Sequence, residues 1–384
     1  MQSANYNYPT SVRFGPGRVK ELADMCAELG MSKPLLVTDP GLAANPMVAD
    51  IVGDLAAAGL GVKVFADIKP NPVGENIEKG AQAFRDGGMD GVIALGGGSA
   101  LDAGKVIAMM AGQDRPLWDF EDVGDNWTRV KADAIAPIIA IPTTAGTGSE
   151  VGRAGVITNA ETHEKKIIFH PRLMPAIALL DPRLTVGLPA GLTAATGMDA
   201  LSHNLEAYSA PGYHPMADGI AVEGIRLVKE NLETAVREPD NIAARGNMLM
   251  ASAMGATAFQ KGLGAMHALA HPLGGVHDAH HGMLNAILMP YVLKANREAI
   301  EERFARLAAW LGLQGGFDGV LQWVLDLRKA IGIPHTLADI GIPGDNLEQI
   351  AAMAVQDPSA GGNPIAFDEK GYLEIVTRAH KGDL

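Results

Sequence analysis

The first half of the chain alternates short, continuous apolar runs with stretches of helical period. Pro34-Leu35-Leu36-Val37-Thr38 reads as a buried strand. A helix over 47–58 follows, with Asn45 as its N-cap and Pro46 at the first position, where a missing N–H costs nothing. The same alternation predicts strands over 61–68, 91–95, 137–141 and 178–180, and helices over 76–85 and 101–110. Ala154–Thr158 and Lys165–Phe169 flank Asn159-Ala160-Glu161-Thr162-His163 as the arms of a hairpin. Strands that are apolar on both faces and separated by helices imply a parallel sheet covered on both sides. After Pro189 the period-2 runs all but vanish, and long Ala-, Met- and Leu-rich stretches at helical spacing replace them. Pro189 and Pro215 stand where helices would begin, Gly212 and Gly262 where they would end. The expected organisation is an α/β domain over 1–185 and an all-helical domain over 186–384.

Composition narrows the function classes. The 384 residues are 47% hydrophobic and 20% charged, enough for a large core and unlike a disordered chain. A net charge of −13 argues against nucleic acid as a partner, because phosphate backbones demand clustered Lys and Arg. The single cysteine, Cys26, removes any intrachain disulfide framework and any cysteine-rich zinc site. No apolar run reaches the roughly 18 residues of a membrane span, and the N-terminal stretch lacks a signal-like apolar core. A cytoplasmic protein with no membrane partner is expected.

Two polar loops follow strands. Gly96-Gly97-Gly98-Ser99-Ala100-Leu101-Asp102-Ala103-Gly104-Lys105 leaves the third predicted strand and opens a helix. Its glycines let bare backbone approach a ligand, and the helix start offers N–H groups to a pyrophosphate. A tight strand-to-helix turn would use the same residues, and the loop is not the G-x-G-x-x-G fingerprint of a standard Rossmann enzyme. Pro142-Thr143-Thr144-Ala145-Gly146-Thr147-Gly148-Ser149-Glu150 follows the next strand and could line the same crevice or serve as a plain connection. Asp39, just past the first strand, suits either a ribose hydroxyl or a turn before Pro40-Gly41.

The helical half carries a histidine cluster. Asp199 and His203 are four apart in a helical stretch and share one face. Five of the eleven histidines fall between 267 and 281: His267, His271, His277, His280 and His281. A carboxylate and neutral imidazoles suit Fe(II), Zn(II) or Mn(II), and an open catalytic site fits better than a closed structural one. His271 shares the face of His267 until Pro272 disturbs the ladder, which suggests a supporting role or a proton path. Lys261, shortly upstream, would meet a substrate carboxylate or sit solvated on the surface.

Taken in order, these pieces resemble the iron-dependent (group III) alcohol dehydrogenase family, in particular its lactaldehyde reductase and 1,3-propanediol dehydrogenase types. The resemblance runs from Arg13-Phe14-Gly15-Pro16-Gly17 through Pro70-Asn71-Pro72, both polar loops and Gly197-Met198-Asp199-Ala200-Leu201-Ser202-His203 to the histidine cluster. It implies a dehydroquinate synthase-like fold: a dinucleotide-binding α/β domain, an all-α domain and a metal in the cleft between them. By the same resemblance, Asp199, His203, His267 and His281 are the metal ligands. Gly97, Gly98 and Ser99 hold the pyrophosphate with Asp102 supporting their loop; Thr143, Thr144 and Thr147 line the nicotinamide side; Lys165 reaches the cofactor ribose. Asp39 falls where NAD-using members carry an aspartate, and Asn71 lies near the adenosine. The chain departs from the family pattern at Gly152-Arg153, at Gln260-Lys261 and at His280.

The implied activity is reversible hydride transfer between a small alcohol or aldehyde and NAD(H), with Fe(II), or Zn(II), as the metal and His271 handling the proton. The alternatives are a dehydrogenase for an anionic hydroxy acid or semialdehyde, its carboxylate held by Lys261, and more remotely a dehydroquinate synthase-like lyase. A homo-oligomer, as a dimer, is expected from the family's habit.

Overall fold

The computed structural model describes residues 10–162 and 164–384. His163, at the tip of the expected hairpin, and most of the N-terminal stretch read above lie outside them. Contacts divide the described residues into two compact units, 10–186 and 187–384.

The first unit runs β1 (Ser11–Phe14), α1 (Leu22–Glu28), β2 (Pro34–Val37), α2 (Pro40–Ala43), α3 (Pro46–Ala57), β3 (Lys63–Phe65), α4 (Gly74–Gly87), β4 (Gly91–Gly96), α5 (Gly98–Met110), β5 (Ile138–Pro142), β6 (Ala154–Thr158), β7 (Lys165–Phe169) and β8 (Ile177–Leu180). Six strands form a parallel sheet in the order β1-β8-β5-β4-β2-β3, and β6 and β7 pair separately as the antiparallel hairpin. Successive strand residues point to opposite faces. Leu35, Val37, Val92, Ala94, Ile138 and Ala140 therefore pack with Ile77, Ala81, Val106 and Ile107 of α4 and α5. Leu36, Ile93, Leu95, Ile139, Ile141 and Leu179 meet Leu22, Met25, Ile51 and Leu55 of α1 and α3 on the other side. Burial on both faces is why the strands read as continuous apolar runs.

Asn45 caps α3 by accepting from the Met47 N–H, with Pro46 at the first position. The strand expected over 61–68 contracts to β3, a half-exposed edge strand with one neighbour. β1 carries no apolar alternation strong enough to read from sequence, yet it pairs with β8 over Ser11–Phe14. From β2 the chain runs outward to β3, then returns to the other side of β2 and continues through β4, β5 and β8. That reversal opens a crevice at the carboxyl ends of β2 and β4, where open α/β sheets bind ligands. Asp39 and the glycine loop leave the sheet there.

The second unit is helical: α6 (Ala190–Ser209), α7 (Pro215–Arg237), α8 (Ile242–Ala258), α9 (Ala265–His277), α10 (His281–Ala295), α11 (Arg297–Trp310), α12 (Gly316–Ala330), α13 (Leu347–Gln356) and α14 (Glu369–Lys381). Helix α6 is the hub, packed by α7, α8 and α10 and buried over most of its length. Pro272 does not end α9, which continues through it to His277.

Candidate metal centre and cofactor loops

Helix α6 presents Asp199, His203 and Glu206 at i, i+4 and i+7, one face of the helix, and all three are buried. Helix α9 brings His267 to that face, and the ligand atoms of Asp199, His203 and His267 lie within 4.8 Å of one another. The rings of His203 and His267 stack, 4.8 Å between centroids, and Phe259 meets His203 edge-on. His281, the first residue of α10, places Nε2 3.6 Å from Asp199 Oδ1 and its ring 5.2 Å from that of His267. Close packing of α10 on α6 makes this approach possible, since a Cβ on Gly282 would lie 2.4 Å from the Ala195 carbonyl oxygen.

Second-layer groups complete the cluster, and sequence reasoning missed three of them. Glu206 Oε2 lies 2.6 Å from His267 Nδ1. Asn285, one turn beyond His281, donates from Nδ2 to Asp199 Oδ1 at 2.9 Å and stands 3.2 Å from Nε2 of both His267 and His281. Asp357 Oδ2 lies 2.8 Å from His271 Nδ1, and the His271 ring stacks on His281. The helical spacing of Glu206 from Asp199 and His203 was a usable signal, as was Asn285 at i+4 from His281. Asp357 comes from a distant segment and had none. Burial opposes charge on His267, but Glu206 and Asp199 outweigh it and raise its pKa. Burial likewise works against the Asp357 carboxylate, and the bonds from His271 and Ser359 hold it below the usual range. A buried carboxylate beside neutral-capable imidazoles is a donor set that fits Fe(II) or Zn(II).

His277 and His280 stand apart from this group. His277 contacts the Asn346 amide, and His280 caps α10 by accepting from the Met283 N–H. Of the two places the sequence left open for Lys261, the solvated surface is not the one it takes. Its side chain is 2% exposed and its Nζ lies 2.5 Å from Asp218 Oδ1, an oxygen that also accepts from Arg303 at 2.9 Å. Burial lowers its pKa, with the Asp218 bond opposing.

In the other unit, register aligns Gly96 with Pro142, so the glycine and threonine loops leave β4 and β5 side by side. The Thr143 N–H donates to the Gly96 carbonyl at 2.9 Å. Thr144 faces Gly97, and a Cβ on Gly98 would lie 2.6 Å from Thr147 Cγ2, so only glycine lets the loops close together. Asp102 accepts from the Ser149 hydroxyl and the Val156 N–H and pairs with buried Lys105, tying α5 to the threonine loop and the hairpin. Ser99 donates its hydroxyl to the Pro70 carbonyl, and the Thr158 N–H donates to the Pro72 carbonyl at 2.7 Å, so Asn71 is carried between the glycine loop and the hairpin. Lys165 opens β7 opposite Thr158. Asp39 caps α2 through Oδ1, accepting from the Leu42 N–H at 2.9 Å, while Oδ2 faces Gly96. The turn role and the crevice location thus coexist.

A family model described as iron-containing alcohol dehydrogenase matches residues 9–182, and its C-terminal counterpart matches 193–380. The chain belongs to the iron-containing alcohol dehydrogenase family. It is 41% identical to the 4-hydroxybutyrate dehydrogenase of Cupriavidus necator, with 97% of this chain and 98% of that one covered. The crystal structure of a 1,3-propanediol oxidoreductase superposes with a TM-score of 0.93 at 37% identity, covering 99% of this chain and all of that one. The sulfoacetaldehyde reductase of Bifidobacterium kashiwanohense, solved with NAD+, superposes at 0.91 with 29% identity and full coverage of both chains. As an iron-type alcohol dehydrogenase, this protein is an oxidoreductase that uses NAD(H) and a metal to interconvert small alcohols and aldehydes. Among the described residues no helix is long and apolar enough to cross a membrane.

Proposed function

We propose that this alcohol dehydrogenase reduces short neutral aldehydes with NADH and oxidises the matching primary alcohols or diols. Asp199, His203, His267 and His281 hold the metal, and His271 handles the proton. The observation that carries the reading is the buried Asp199–His203–His267 cluster with His271 and His281 packed against it. When bound, the metal serves as a Lewis acid toward the substrate oxygen and NAD(H) carries the hydride. Asp357 fixes the Nδ1–H of His271, which leaves Nε2 to take and return the alcohol proton.

For the cofactor, Gly97 and Gly98 offer bare backbone to the pyrophosphate at the start of α5, with Ser99 beside them. Asp39 Oδ2 accepts from a ribose hydroxyl and disfavours a 2′-phosphate. Asn71 and Lys165 flank the cofactor, and Thr143, Thr144 and Thr147 line its nicotinamide side. Asp102 acts indirectly, by holding the loops together. We assign residues 1–185 to dinucleotide binding and 186–384 to metal and substrate. The enzyme is cytoplasmic, which its single buried cysteine supports. It is a homodimer, a reading supported by β1 at the sheet edge with Phe14 39% exposed.

The name of the Cupriavidus necator relative favours a second reading, an anionic hydroxy acid or semialdehyde. Against it, the Lys261 ammonium is already engaged by Asp218. Iron-loaded protein supplied with NADH and either propanal or succinic semialdehyde separates the two. Preference for propanal supports the neutral substrate. Preference for the semialdehyde that disappears in Lys261→Ala overturns it. The substitution is tolerable because Asp218 keeps Arg303.

A further inference from the structure

We propose that Glu206 is the positioning residue of the metal centre, setting with one carboxylate both the start of α9 and the orientation of the His267 ring. The proposal rests on the reading of His267 as a ligand. Glu206 is 4% exposed and His267 1%, so water competes for neither. Oε1 accepts from the Met266 N–H at 2.7 Å, in the first turn of α9. There an anion is favoured by the orphan N–H groups and the positive end of the helix dipole. Oε2 meets His267 Nδ1 at 2.6 Å. The neighbouring Ala265 N–H is taken by Asn363 Oδ1 at 3.0 Å, so two side chains seat the helix start.

On the other side of the ring, the Asn285 amide nitrogen stands 3.2 Å from Nε2. An ionised carboxylate can only accept, so Nδ1 carries the hydrogen that Glu206 takes, and in the neutral, ligating form of the ring Nε2 presents its lone pair. Glu206 thereby selects the tautomer whose free nitrogen points to Asp199 and His203. A carboxylate behind a ligating imidazole orients the ring and raises its basicity. Glutamine cannot replace it fully. A carboxylate offers an acceptor to both the Met266 N–H and the His267 Nδ1–H, whereas an amide offers one acceptor and one donor. Glu206→Gln must give up either the helix seat or the ring.

The test measures Co(II) binding to metal-free protein, by competition with a chelator and by the visible ligand-field spectrum, in the parent, Glu206→Gln and His267→Ala. We expect Glu206→Gln to lose about 10- to 100-fold in Co(II) affinity with a shifted spectrum. NADH affinity should be unchanged, and His267→Ala should lose Co(II) altogether. Parent-like affinity and spectrum in Glu206→Gln, with Co(II) lost in His267→Ala, overturn the positioning role and leave the ligand set intact. Undiminished Co(II) binding by His267→Ala overturns the ligand reading itself. Lowered thermal stability with an unchanged spectrum marks Glu206 as structural only and also overturns the proposal. If Glu206→Gln does not fold, Glu206→Asp asks the same question. It keeps the charge but is one methylene shorter, which withdraws the carboxylate from the Met266 N–H and the His267 ring. A several-fold loss of Co(II) affinity supports the role, and parent-like binding overturns it.

Discussion

Glu150 keeps its proton to a pH where ordinary glutamates have lost theirs, because complete burial penalises the charged form. Its backbone bond and Lys105 only partly offset this, and the pKa is pushed up to about 7. The unfolded chain ionises it near 4.5. The folded state therefore binds more protons across that window, and stability falls as pH rises through it, by about 3 kcal/mol in total, before levelling off above pH 7. Glu150→Gln should lose this dependence and melt higher than the parent at pH 8, with little gain at pH 4; equal melting curves at both pH values would refute the account. His271 belongs to the same scale. His271→Asn should keep its metal and lower kcat on the order of 10²-fold with a flattened pH–rate profile, because proton transfer loses its imidazole. Full activity across the pH range would remove His271 from the proton path.

At the scale of elements, two glycines decide whether side chains from different segments can meet. Gly98 lets the start of α5 close against Thr147, and Gly282 lets α10 close against α6. Each Cβ would fall well inside contact distance, so alanine forces a local displacement. The two substitutions should separate the two functions. Gly98→Ala is expected to weaken NADH binding at least tenfold while Co(II) affinity stays at the parent value. Gly282→Ala should weaken Co(II) binding and leave NADH binding alone. Fluorescence titration and chelator competition on the same preparations read both, and a single pattern shared by the two variants would contradict the assignment. The elements themselves were readable where local signals agree. The Asn45-Pro46 start of α3, the hairpin arms and the apolar strands β2, β4, β5 and β8 all carry their periodicity in the chain. β1 was not, and β3 was read too long, because edge strands of three or four residues take their order from a neighbour rather than from their own pattern.

For the whole molecule, metal and assembly are the quantities to measure. Dialysis against a chelator should abolish NADH oxidation, and Fe(II) should restore it, with the far-ultraviolet spectrum unchanged if the ligands sit on helices that are stable without the ion. Sedimentation equilibrium should give twice the mass of one chain; a single-chain mass would exclude the dimer. The sequence by itself determined the two-part organisation, the parallel sheet, the glycine and threonine loops, the family, and the pairing of Asp199 with His203, the proposed ligands, whose four-residue spacing puts them on one helical face. These follow from periodicities and spacings that act within a few turns of chain. Only the tertiary structure brought Asp357 to His271, separated by 86 positions, seated Glu206 behind His267, and gave Lys261 to Asp218. Those partners are chosen by which helices pack together and by the cost of leaving a buried polar group unpaired, and neither quantity is defined until the chain has folded.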